Sequence, residues 1–156
     1  YLMYISKLNF SIRKKIPFHF QKEDRDCALT CIKMLADYYS KEHLFNDLIK
    51  KSNYNKSFWS VNDIVSALRT LGMNPRPVRL ELDEISSLSI PSILHWDMNH
   101  FVLLVGKKKN KLIIHDPEKG IRYLSLKELN NSFTGIAVEV YNDRIVSEKK
   151  KSFQRK

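Results

Sequence analysis

The feature that most constrains this chain is a change of hydrophobic rhythm at Asn74-Pro75-Arg76-Pro77. Before it, apolar residues recur at helical spacing; after it, they come in short β-branched or apolar runs bounded by turn residues. Asp26 to Ser40 reads as a helix, with Ala28, Cys31, Ile32, Leu35, Ala36 and Tyr39 on one face and Asp26 as its N-cap. A shorter helix covers His43 to Lys51. A third starts at Ser60 or Asn62 and runs through Leu71, ending at Gly72. Beyond the prolines the runs Val78–Leu82, Pro91–Trp96, His100–Lys107, Lys111–His115, Ile121–Leu126 and Gly135–Tyr141 read as strands. A helical turn at Asp83–Leu88 and a short helix at Leu126–Asn131 interrupt them. Helices first and hairpin-linked strands second is the α+β layout: N-terminal helices packed on a mostly antiparallel sheet.

At 156 residues the chain can bury one core. An apolar content of 43% argues against disorder. The longest uninterrupted apolar run, Phe101 to Val105, falls far short of the ~20 residues of a membrane span. The two cysteines, Cys27 and Cys31, lie four apart on one presumed helix, where a disulfide would be strained and a zinc site would lack its second ligand pair. Two reduced thiols and no metal are expected. Net charge is 27 − 17 = +10, gathered at Arg13-Lys14-Lys15, at Lys107-Lys108-Lys109 with Lys111, and in the tail from Lys149. No helix-turn-helix or RNA-binding signature accompanies it, so nucleic acid is not an expected partner. A basic segment beside a membrane anchor fits better. The expected organisation is therefore a domain over 1–141 and a basic linker over 142–156, leading toward a missing transmembrane domain.

Why a chain this poor in cysteine puts one at Cys27 is the chemical question. A nucleophilic sulfur works as thiolate, and a helix N-terminus supplies partial positive charge that stabilises that form. Position alone leaves Cys27 open between nucleophile and small buried hydrophobe. A nucleophile needs a base, commonly His, and the base needs an acceptor to orient it. His19 and His43 read as structural or solvated. His100 opens a strand, and Asp116 closes the next one ahead of Pro117. A hairpin through Lys107–Asn110 brings the two near each other, and equal counting from its centre favours this pair over His95 with any nearby acid. Gln21, six residues ahead of Cys27, could donate to a developing oxyanion together with the Cys27 backbone N–H. Taken alone, it could equally be an ordinary surface residue.

Gln-x4-Asp-Cys-Ala at Gln21–Ala28, His-Trp…His-Phe-Val at His95–Val102 and Asp-Pro…Gly at Asp116–Gly120, in that order, resemble the bacteriocin-processing cysteine peptidase domain of peptidase-containing ABC transporters. The likeness covers residues 14 to 141. It implies a papain-like fold, facing the cytosol from the bacterial membrane, that cuts a leader peptide from a precursor after a Gly-Gly type pair as the product is exported. It also implies Cys27 as nucleophile, His100 as base and later acid, Asp116 as orienter and Gln21 as oxyanion donor. The implied partners are a precursor with an amphipathic helical leader and the transporter's own transmembrane and nucleotide-binding domains. No cofactor is expected in this domain, since ATP would bind the missing nucleotide-binding domain. Cutting after small residues implies a narrow channel, for which Trp96 and Met98 are candidate walls. An apolar groove, with the short helices of His43–Leu71 contributing, would take the leader. Cys31 and His115 are expected in the core. The competing reading is a substrate-tethering domain without turnover, as in relatives that have lost the Cys.

Overall fold

The computed structural model describes residues 15–51, 54, 56–97 and 99–142. Among the described residues three helices come first: α1 Cys27–Tyr38, α2 Glu42–Ile49 and α3 Val61–Thr70. Strands β1 Asn74–Arg79, β2 Ser92–Trp96, β3 His100–Lys108, β4 Lys111–Asp116, β5 Gly120–Leu124 and β6 Phe133–Tyr141 follow. A 3₁₀ helix at Leu82–Ser87 and a short helix α4 at Leu126–Asn130 lie among them. All pairings are antiparallel, in the order β1-β6-β2-β3-β4-β5. This is the expected α+β arrangement.

Helix α1 holds the molecule together because most of its surface is apolar: Ala28, Cys31, Ile32, Met34, Leu35 and Ala36 are fully buried. A helix of this length is marginal in water on its own, so its packing against the sheet stabilises it, at ~1.5–3 kcal/mol per large apolar side chain. One core lies between the helices and the sheet, where α1 meets Ile93, Phe101, Leu103, Val138 and Val140. The other face of the sheet is covered by the 3₁₀ helix and α4, over Leu94, Trp96, Val102, Leu104, Leu112 and Ile114. Among the described residues no helix is long and apolar enough to cross a membrane.

Three local expectations are corrected. The first strand is not Val78–Leu82: it begins at Asn74 and contains both prolines. As β1 is an edge strand, only every second N–H is needed for the ladder to β6. Pro75 and Pro77, two apart, can both direct their missing N–H to the open side. Asp26 does sit at the N-cap of α1, but its side chain makes no capping hydrogen bond; its carbonyl instead accepts from the N–H and hydroxyl of Thr30, at 2.8 and 2.7 Å. Trp96 is buried in the core under the 3₁₀ helix, opposite His100 in the β2–β3 ladder, and does not wall a channel. Met98, the other candidate wall, lies outside the described residues, as do Arg13, Lys14 and all of the basic linker after Asn142.

Candidate active site

Each half of the molecule delivers part of the site. The first residue of α1 is Cys27, 6% exposed, with its sulfur 4.0 Å from the carbonyl oxygen of Asn99. Asn99 immediately precedes His100, the first residue of β3. The helix therefore ends its sulfur against the tip of the sheet, where the imidazole begins.

A β-bulge unites His100 with Asp116. Near the hairpin turn, Lys108 pairs with Lys111 and Gly106 with Ile113. Past the irregularity at Val105, Leu104 pairs with Ile114 and Leu103 with His115. Without that extra residue, side-chain alternation would put residues 100 and 116 on opposite faces; with it they share one. The result is His100 Nε2 at 2.8 Å from Asp116 Oδ1. Equal counting from the turn thus reached the right pair but missed the residue that makes the pair possible.

Asp116 is almost wholly buried, yet its carboxylate is well supplied with donors. Oδ1 also accepts the backbone N–H groups of Glu118 at 3.0 Å and Lys119 at 3.3 Å, and Arg122 lies 3.7 Å from Oδ2. This is an Asx-type turn, and it explains the Asp-Pro…Gly motif. Gly120 follows at φ +111°, where side-chain-bearing residues rarely go. Burial alone would raise the Asp116 pKa; the hydrogen bonds from His100, Glu118 and Lys119 outweigh it and hold the group below the usual carboxylate range. Burial would likewise lower His100. The hydrogen bonds and negative charge of Asp116 and Cys27 reverse that and raise it to about 9. Since Nε2 is taken by Asp116, Nδ1 is the ring nitrogen left for the thiol.

Gln21 approaches along the N-terminal segment. Its N–H donates to the carbonyl of Pro117 at 2.9 Å, tying its backbone to the turn that cradles Asp116. Its Oε1 is buried with no partner among the described residues. The segment is further fastened by His19 Nε2 to Asp37 Oδ2 of α1 at 2.5 Å, and by Phe18 edge-on to the His115 ring at 5.3 Å.

The remaining candidates separate cleanly. Cys31 is fully buried one helical turn beneath Cys27, and burial pushes its thiol well above its ordinary value. His115 is buried, and its pKa is lowered chiefly by that burial. His95 is engaged with Thr134 at 2.8 Å, and His43 is exposed. Sequence reasoning missed Glu118, whose carboxylate lies 4.0 Å from His100 Nε2, and the loop residues Phe58 and Trp59. No periodicity or motif marks either place. His100, Asp116 and Glu118 each present a ligand atom within 4.8 Å of the others. A cation there would have to break the His100–Asp116 hydrogen bond.

Beside Cys27 lies a cavity of about 290 Å³, lined also by Asp24, Arg25, Ser57, Phe58, Trp59, Asn99 and Phe101. A larger apolar groove of about 580 Å³ runs between the N-terminal segment and β3–β5 and contains none of the four site residues. A sulfur, an imidazole and a buried carboxylate in series beside a cleft is the arrangement of a thiol nucleophile with its base and orienter.

Comparison with known proteins shows the family. The sequence pattern described as the peptidase C39 family matches residues 15–144. The chain is 39% identical, over 137 residues, to the "probable microcin-H47 secretion/processing ATP-binding protein" of Escherichia coli. It is 38% identical over 137 residues to the colicin V secretion/processing ATP-binding protein of the same species. Each match covers 88% of this chain but only 20% of the relative's length. Among solved structures, it resembles a double glycine motif protease from an AMS/PCAT transporter, solved in complex with the leader peptide, with a TM-score of 0.74 and 28% identity. That likeness covers 83% of this chain and 93% of the other. With a family pattern spanning the whole described fold and the shared architecture of helices on an antiparallel sheet, the chain belongs to the peptidase C39 family of cysteine peptidases.

Proposed function

We propose that this domain cleaves leader peptides from peptide precursors after a Gly-Gly type pair, on the cytoplasmic side of a secretion transporter of which it forms part. The observation that carries this reading is the connected series Cys27, His100 and Asp116 at the meeting of α1 with the sheet. Family membership and the similarity to secretion and processing proteins support the substrate class.

Cys27, as thiolate, attacks the carbonyl carbon of the scissile bond while His100 holds the proton. Negative charge gathers on the carbonyl oxygen, where the Cys27 N–H and the Gln21 side-chain amide are the donors. His100 passes its proton to the leaving amine, the C–N bond breaks, and the leader remains as a thioester on Cys27. Water then attacks the thioester with His100 taking its proton, which returns to the sulfur as the leader acid leaves. Asp116 holds the ring in register and favours its protonated form throughout. ATP binding, transport and the residues that read the leader belong to the rest of that assembly and to the apolar surface of this domain.

The test is to mix the protein with a synthetic precursor ending its leader in Gly-Gly and map the products by mass spectrometry. A single cut after the second Gly is expected, together with loss of cutting and retention of leader binding in Cys27→Ala. Continued cleavage by that variant would remove Cys27 from its role.

A further inference from the structure

The loop ahead of α3 is built to hold one aromatic ring in the open beside the nucleophile. Phe58 is 63% exposed, although its neighbour Trp59 is only 5% exposed. Both line the cavity that contains Cys27. An exposed Phe on a slack loop would carry no information, because it could turn inward. This loop is fastened on both sides. The Trp59 ring packs in the helical core, 6.1 Å from Tyr54, with the Lys56 ammonium 5.6 Å over its face. Lys56 Nζ also pairs with Asp63 Oδ1 at 2.9 Å. Asp63 and Ser60 close a reciprocal capping box at 2.8 and 3.1 Å at the start of α3. Lys56 and Trp59 on either side of Phe58 are anchored, while the Phe58 ring faces water, forgoing burial that it would otherwise gain.

We propose that Phe58 is the wall that sets side-chain size at the residues just before the scissile bond. This rests on the peptidase reading given above and deepens it. His100 must reach the leaving nitrogen, so the C-terminal part of the substrate passes its ring. The cavity, which that ring does not line, is left for the acyl side. There the chain of the substrate would lie between Phe58 and the Asn99–Phe101 backbone. Glycine passes beneath the ring, and a branched side chain collides with it. Because Trp59 and the cap hold the loop, the backbone that carries the ring stays in place beside the cavity.

The experiment compares the wild-type chain, Phe58→Ala and Phe58→Trp on leader peptides ending in Gly-Gly, Gly-Val and Val-Gly. Phe58 is exposed, so neither substitution should disturb the fold, and circular dichroism checks this. Wild type should prefer Gly-Gly strongly; Phe58→Ala should narrow that preference in kcat/KM at least tenfold. Phe58→Trp should keep the preference. A preference unchanged within twofold in Phe58→Ala, or equal losses on all three peptides, overturns the proposal. A second arm needs no turnover: alkylation of Cys27 by chloromethyl ketones of Gly-Gly and Val-Val, followed by intact mass. Wild type should react faster with the Gly-Gly reagent and Phe58→Ala with both alike; equal selectivity in the two proteins refutes the wall. Should wild type alkylate selectively yet cut no leader, the peptidase reading fails and the wall stands.

Discussion

Replacing Asp116 by Asn removes one negative charge from His100 and the ion pair with Arg122, while keeping the shape of the side chain. The Asn oxygen can still accept the N–H groups of Glu118 and Lys119 that shape the turn. In the native protein His100 is raised from 6.5 to about 9 despite burial that works against it. That span corresponds to about 3.5 kcal/mol favouring the charged ring over the neutral one. Asp116 raises the His100 pKa through its hydrogen bond, the largest raising contribution, and through its charge, and Cys27 adds a hydrogen bond and charge of its own. The imidazolium is the acid that protonates the leaving amine, so kcat/KM should decline above pH about 9 in wild type as that proton is lost. In Asp116→Asn the decline should begin at least one pH unit lower. The ratio of variant to wild-type kcat/KM should therefore fall at least about threefold further between pH 6 and pH 8.5, beyond any pH-independent loss. The assay is a fluorogenic Gly-Gly leader peptide followed over that range. An alkaline limb at the same pH in both proteins would refute the electrostatic role of Asp116, whatever the absolute activities. The same linkage acts on stability. Below pH 6.5 the ring is charged in both folded and unfolded chains and its contribution is complete; it is lost as pH rises through about 9.

The two thiols should differ sharply under iodoacetamide near neutral pH. Cys27 is at a helix tip beside an imidazole, whereas Cys31 is fully enclosed with its thiol held protonated by burial. Peptide mapping should find at least tenfold faster labelling of Cys27, and equal rates would contradict the assignment. Trp96→Ala should cost ~3–5 kcal/mol in urea denaturation, as for other large core aromatics, without relaxing the preference for small residues before the cut. Relaxed cleavage in a folded Trp96→Ala protein would return that residue to the channel.

The parts of this molecule that were legible in its sequence are those with a period. The face of α1 from Ala28 to Ala36, the hairpin through Lys107–Asn110 and the capped start at Ser60 all declare themselves through spacing. The bulge does not, because Val105 sits in the run Phe101–Val105, where every residue is apolar and no alternation can show a skipped step. β1 was displaced because prolines normally argue against a strand, and only the sheet order reveals that this one is an edge. The burial of Trp96 was missed for a related reason: which aromatic is covered and which, like Phe58, is exposed depends on the three-dimensional placement of the 3₁₀ helix and of the Trp59 anchor. Within the candidate site, residue type and order together with the family resemblance named Gln21, Cys27, His100 and Asp116 as candidates, while the contact between His100 and Asp116 depends on the bulge and the Asx turn.

The account depends on the sulfur of Cys27 and the ring of His100 acting as one electrostatic unit. Titrating the His100 ring nitrogens by NMR in wild type and in Cys27→Ala tests this most directly. The ring should lose its proton near pH 9 in the wild type and at distinctly lower pH once the sulfur is gone. An ordinary midpoint near 6.5, the same in both proteins, would contradict it.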